Sequence, residues 1–222
     1  MTNSELKNIT SRFEEVKTLI EKHNTLLNET TKIRRRLKTK IRKYTFLKNL
    51  VDIDSCGDKL VNSVVQCFKE MGFDDIENVD KKYKDEDIRL FIEDTLILFE
   101  ITGIDNANPP DDKVHQISKH IPIRQKKYPT LKVFGVFMVN HDNKKHFSNR
   151  EKKPFRKALI DISKEHKYTI TTTLDLLVAF IKIKAGKLTK EELIEKLCTT
   201  GELKILGYLI KVQLTILTAL SS

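Results

Sequence analysis

Lys84-Asp85-Glu86-Asp87-Ile88-Arg89-Leu90-Phe91-Ile92-Glu93-Asp94-Thr95-Leu96-Ile97-Leu98-Phe99-Glu100-Ile101-Thr102-Gly103 sets two β-rich runs on either side of the polar pair Glu93-Asp94, the pattern of a β-hairpin. With Glu93-Asp94 as a two-residue turn, cross-strand partners sum to 187. Ile92 then faces Thr95, Leu90 faces Ile97, and Asp87 faces Glu100. Alternation places Ile88, Leu90, Ile92, Ile97 and Phe99 on an apolar layer. Asp87, Arg89, Phe91, Leu96, Leu98, Glu100 and Thr102 share the other face.

Directly opposed side chains lie roughly 4.5–5.5 Å apart at Cβ, so Asp87 and Glu100 repel unless something compensates them. A divalent cation is one compensation, because Mg²⁺ is commonly held by one or two carboxylates with water and substrate phosphate. The plainer reading is a pair of solvated acids at a strand end. A slip of one residue in the turn would separate them onto opposite faces.

The chain has 222 residues, 39% hydrophobic, with seven Gly and five Pro, a composition that builds a core rather than a disordered chain. Its net charge of +10 is uneven. Residues 1–50 carry thirteen Lys/Arg against five Asp/Glu, or +8, which leaves +2 for the remainder. Cys56, Cys67 and Cys198 are widely spaced and suggest neither a disulfide framework nor a zinc site, so a reducing, cytoplasmic setting is expected. The polar N-terminus does not read as a secretory signal. The apolar run Leu203 to Leu220 is interrupted by Lys204, Lys211 and Gln213, so no membrane partner is expected. G-x-S-x-G, H-E-x-x-H and a Gly-rich phosphate loop are all absent.

From Glu5 to Lys48 there is no Gly or Pro, and Ile9, Phe13, Val16, Ile20, His23, Leu27, Thr30, Arg34, Leu37, Ile41 and Tyr44 recur at alternating spacings of four and three. This heptad seam predicts a long coiled-coil helix. Its partner is a second copy, giving a homodimer, or a helix of the same or another protein; a helix folded back on its own domain is the alternative. Within it Lys32, Arg34, Arg35, Arg36, Lys38, Lys40, Arg42 and Lys43 crowd one segment, and no acid occurs from Thr30 to Val51. Such a run suits phosphate contacts with nucleic acid. A solvated helix surface, an acidic protein or a lipid headgroup are the competing readings.

Asp52 to Asp58 reads as a junction, followed by an amphipathic helix ending at Met71-Gly72. After the hairpin, Asp111-Asp112 is expected to cap a helix from Lys113 to His120, on which Lys113, Gln116 and His120 share a face. Lys132 to Asn140 has the continuous apolar pattern of a central parallel strand. His141 and His146 follow in a loop and read as solvated. Pro154 to Lys167 predicts a helix, Tyr168 to Thr172 a strand, and Thr173 to Lys184 a helix. Lys187 to Cys198 predicts another helix, opened by a Thr189/Glu192 capping box. Periodicity leaves the tail, Leu203 to Ser222, open between a strand pair and an amphipathic helix.

An acid at the start of one strand and Glu-x-Lys at the end of the next is the signature of the PD-(D/E)xK nuclease superfamily, and Asp87 with Glu100-Ile101-Thr102 resembles a variant in which Thr102 stands at the Lys position. The helix before the hairpin, Val114-His115-Gln116-Ile117 after it, and the strand Leu131 to Asn140 continue the resemblance, which covers roughly residues 55 to 200. It implies an α/β, restriction-endonuclease-like fold: a mixed central sheet flanked by helices, here with the long N-terminal coiled-coil helix. The expected division is 1–50 for the helix, 51–202 for the nuclease-like domain and 203–222 for the tail.

The resemblance further implies Mg²⁺ (or Mn²⁺) held by Asp87, Glu100 and the Ile101 carbonyl, with Thr102 and Gln116 at the site. Lys113 or Lys119 is the candidate for the missing positive charge. The implied activity is DNA cleavage, in restriction or anti-phage defence as in many members. The alternative is an inactive pseudonuclease that binds nucleic acid or protein through the basic helix.

Overall fold

The computed structural model describes residues 3–79 and 86–205. The chain divides into two compact units, residues 1–45 and 46–222.

In the first unit, α1 (Asn3–Lys43) is one uninterrupted helix of 41 residues, about 62 Å at 1.5 Å per residue. Val16, Leu19, Ile20, Leu26, Leu27 and Ile33 are exposed along it. Lys32, Arg34, Arg35, Arg36 and Lys38 are also exposed. The side chains of Ile9, Phe13, Leu37, Lys40, Ile41, Arg42 and Lys43 lie outside the described residues, as does the tail from residue 206. The helix breaks at Tyr44, and the short α2 (Thr45–Asn49) follows.

The second unit is built on the hairpin. β2 (Ile88–Ile92) and β3 (Thr95–Gly103) pair in the expected register, Ile92 opposite Thr95 and Leu90 opposite Ile97. Glu93 makes the turn with φ at 49°. The short β1 (Ile76–Asn78) adds to the outer edge of β2 antiparallel. β4 (Lys132–Asn140) lies parallel to β3, β5 (Tyr168–Thr172) parallel to β4, and the two-residue β6 (Gly201–Glu202) parallel to β5. The strands thus stand in sequence order in one mixed sheet, with β4 paired on both sides.

On one face α4 (Asp111–Lys127) and α5 (Lys157–Glu165) cover Leu96, Leu98, Phe137, Val139, Tyr168 and Ile170 with Val114, Ile117 and Leu159. Each large side chain buried in this way contributes about 1.5–3 kcal/mol. Gly135 sets how closely α4 approaches, since a Cβ there would stand 2.7 Å from Ile121 Cδ1 and 2.8 Å from Ile117 Cγ1. The other face is covered by α3 (Gly57–Glu70), whose Phe68 ring lies 5.2 Å from that of Phe99. α6 (Thr173–Lys184) begins on Thr172, whose hydroxyl accepts from Asp175 N. Its Phe180 packs on Phe46 at 5.8 Å. α7 (Lys190–Leu197) opens with the capping box expected from Thr189 and Glu192.

Two helices differ from expectation. α4 begins at Asp111 on Pro110 with no side-chain cap, and it runs past His120 and through Pro122 to Lys127. An interior proline costs roughly 3 kcal/mol. Ile121 against Gly135 and Arg124 bonded to Glu86 hold the last turns in place. α5 begins only at Lys157, after Arg156 with extended backbone, and Pro154 and Phe155 are buried ahead of it.

Candidate active site

Asp87 lies one residue before β2. Its backbone N–H donates to Phe99 O at 3.0 Å, and its carbonyl accepts from Val79 N at 2.9 Å. Its side chain is 9% exposed, and Oδ2 accepts the Ile101 N–H at 2.5 Å. The acid is therefore clamped on the backbone between Glu100 and Thr102, not solvated at a strand end. Glu100 and Thr102 are half-buried on β3, and alternation puts them on the α4 face with Leu96 and Leu98. The structure thus brings Asp87 against the Glu100-Ile101 peptide.

Immediately before Asp87, Glu86 is wholly buried. Arg124 binds it from α4, with Nε 2.8 Å from Oε1 and a terminal nitrogen 2.9 Å from Oε2. Arg89 Nε donates to Oε1, and His120 Nδ1 lies 3.7 Å from Oε2. Burial alone would push the Glu86 carboxyl up; the hydrogen bonds from Arg124 and Arg89 outweigh it and hold the group below its ordinary value.

Gln116, His120 and Arg124 recur every four residues on α4, one line of one helix face. His120 and Arg124 turn this line toward Glu86, and Gln116 stands one turn nearer the start of the helix. Gln116 Oε1 is buried and has no hydrogen-bond partner among the described residues. Lys113 and Lys119 are exposed on the same helix and pair with no acid among the described residues.

Reasoning from sequence missed Glu86, Arg89, His120 and Arg124 as a unit. Ending α4 before Pro122 left Arg124 without an element. The four-residue recurrence of Gln116, His120 and Arg124 was the available signal. His141 is a correction: it is 3% exposed, its Nε2 meets Glu151 O at 2.9 Å, and Nδ1 has no hydrogen-bond partner among the described residues. Burial holds its pKa below the ordinary histidine value. Around it, Arg150 donates to Asn140 Oδ1 and, at 2.8 Å, to Val51 O. Asp142 Oδ2 accepts from Glu151 N at 2.9 Å. This network pins down the loop that follows β4.

No group of three or more His, Cys, Asp or Glu placed to hold a metal occurs among the described residues. What the hairpin offers an ion is two carboxylates, Asp87 and Glu100, and the main-chain carbonyl of Ile101. These are hard oxygen donors, which suit a Mg²⁺ or Mn²⁺ ion that keeps several waters.

No protein-family model matches the sequence, and no curated protein matches it. Solved structures do. A structure of restriction endonuclease FokI aligns over 72% of this chain with a TM-score of 0.54 and 14% identity. The structure of FokI bound to DNA aligns over 72% with a TM-score of 0.52 and 16% identity. The chain matches about 30% of the length of these proteins. The fold is restriction-endonuclease-like: a mixed sheet flanked by helices, with a long N-terminal helix added. No helix among the described residues is long and apolar enough to cross a membrane.

Proposed function

We propose that this protein is a divalent-metal-dependent DNA endonuclease whose motif is a PD-(D/E)xK variant with Thr102 at the Lys position. The observation that carries the reading is the Asp87 carboxylate bonded to the Ile101 N–H, beside Glu100, within a fold like that of FokI. One FokI structure is of the enzyme bound to DNA, which supports DNA as the substrate. The domain of residues 51–202 carries the site, residues 1–50 form a coiled-coil arm that pairs two copies, and its segment 32–43 adds phosphate contacts.

In this reading Asp87, Glu100 and the Ile101 carbonyl hold Mg²⁺ or Mn²⁺, which supplies a polarised phosphate and a bound water of lowered pKa. The Ile101 N–H fixes the Asp87 carboxylate before any ion arrives. The Glu86 cluster fixes the chain one residue earlier and ties it to α4, the helix that carries Gln116. Thr102 hydrogen-bonds but carries no charge. Loss of one such electrostatic stabiliser costs on the order of 10²–10³ in rate, so slow turnover is expected.

Calorimetric titration with Mn²⁺ tests the site. Wild type is expected to bind, and Glu100→Gln to bind at least about tenfold more weakly, the lower end of what even supporting partners of a metal site contribute. Equal Mn²⁺ affinity in the two proteins would remove Glu100 from the site.

A further inference from the structure

The loop between β4 and α5 has no role in the reaction above, yet it is the most basic stretch of the second unit. Residues 144–157 hold seven Lys/Arg (Lys144, Lys145, Arg150, Lys152, Lys153, Arg156 and Lys157) against the single acid Glu151. The structure sorts these seven charges by task. Arg150 is buried and structural, bonded to Asn140, Val51 and Lys145. Lys144 pairs with Asp54, Lys145 with Asp142 at 3.0 Å, and Arg156 with Asp111. Lys152, Lys153 and Lys157 are exposed, and their ammonium groups make no ion pair among the described residues; the Glu151 carboxylate accepts the Lys153 backbone N–H at 3.0 Å.

The loop is also firmly placed. His141 and Asp142 both bond the backbone of Glu151, and Phe147, Pro154 and Phe155 are buried under it. Asn143 N donates to Ile104 O, and Asp142 N to Asn106 O, which ties the start of the loop to the chain just past β3. Gly103 pairs with Asn140 and Thr102 with Val139, so the loop leaves the sheet at the end that carries Glu100 and Thr102. The Arg156–Asp111 pair joins its far end to the first turn of α4, the helix that presents Gln116. The three ammonium groups therefore stand on a segment fastened to the end of the sheet that carries Glu100 and Thr102.

We infer that Lys152 and Lys153, on the β4–α5 loop, and Lys157, the first residue of α5, form a phosphate-binding surface that holds the DNA backbone at the Asp87/Glu100 site. The inference deepens the nuclease reading and rests on it for the choice of DNA as ligand. Its physical basis is separate: each lysine that neutralises a phosphate releases condensed counterion, so the surface supplies affinity without sequence selectivity. The basic segment of α1 is a second, independent contact.

The test is binding of a fluorescent DNA duplex to the full chain, in chelator to prevent cleavage, across a series of salt concentrations. The triple variant Lys152→Gln/Lys153→Gln/Lys157→Gln is compared with a control that loses the exposed lysines Lys126, Lys187 and Lys196. Each phosphate contact contributes about 0.9 to the slope of log affinity against log salt. The loop triple is expected to lower that slope by about two to three units, and the control to leave it unchanged. An unchanged slope in the loop triple overturns the inference. So does an equal loss in the control, or a wild type whose binding vanishes when Arg34, Arg35 and Arg36 alone become Gln. A triple that weakens binding to anionic vesicles but not to DNA assigns the surface to lipid and equally overturns it. Wild type that binds DNA through the loop but cuts none sustains the surface while removing the nuclease reading.

Discussion

Glu86 is wholly buried with two guanidinium groups bonded to it, and Asp87 follows directly. Removing the Glu86 charge leaves Arg89 and Arg124 facing each other without their common acid, and breaking a buried pair of this kind costs about 3–5 kcal/mol. Glu86→Gln is therefore expected to lower the unfolding free energy by that amount in a urea titration; a loss under about 1 kcal/mol would show the cluster to be incidental. pH reads the same environment. The carboxyls of Glu86 and Asp142 sit below their ordinary values in the folded state, so their stabilisation is present above the unfolded carboxylate range, near about 4, and is lost as pH falls through the folded values.

His141 behaves as a buried neutral imidazole. Its folded pKa is depressed, so below about 6.5 the unfolded chain binds the proton first and stability falls as pH drops. Thermal melts between pH 7 and 5 are expected to show this decline in wild type and a flatter profile in His141→Gln; identical profiles would contradict it. At this scale the two-residue turn at Glu93-Asp94 gave the pairing of Asp87 with the Glu100 strand, and the structure shows that register rather than the one-residue slip. The sequence did not reveal that Asp87 is bonded to a backbone N–H, since no side-chain pattern reports on that. His141 read as solvated because burial of its loop depends on Arg150, nine residues ahead, and on Val51, ninety behind.

Among the elements, the end of β3 is held from both sides. A Cβ at Gly103 would stand 2.5 Å from Ser55 O and 2.9 Å from Cys56 Cβ. The first of these is backbone and cannot turn aside. Gly103→Ala is expected to destabilise by about 1–3 kcal/mol, as overpacking does, and to shift the strand end that bears Glu100. Chemical denaturation with an unchanged m-value checks the first effect; a neutral substitution would mean that Ser55 and its loop yield. The hairpin, β4, β5, α6 and the cap of α7 were all legible, because each carries its own periodicity or capping residues. α4 was legible only up to Pro122, since its last turns depend on contacts with Gly135 and Glu86 that lie far away in sequence.

For the whole molecule, the mixed sheet is what the nuclease-superfamily resemblance implies, and its strands follow chain order. α1 is different in kind. Val16, Ile20 and Leu27 are exposed along a helix that has no core of its own, together with Leu19, Leu26 and Ile33. An apolar stripe of this length is the expected seam of a coiled-coil dimer. Sedimentation equilibrium is expected to give a dimer for the full chain and a monomer for Ile20→Asp/Leu27→Asp; a monomeric wild type at tens of micromolar would set aside the pairing of two copies.

Cleavage is the most direct measurement. Supercoiled plasmid and single-stranded DNA are incubated with wild type and Glu100→Gln in Mg²⁺, in Mn²⁺ and in chelator. The expected result is slow nicking by wild type with either metal, none in chelator, and none by a folded Glu100→Gln. No cleavage by folded wild type with either metal, or cleavage that survives Glu100→Gln, would contradict the assignment of this site as a metal-dependent nuclease centre.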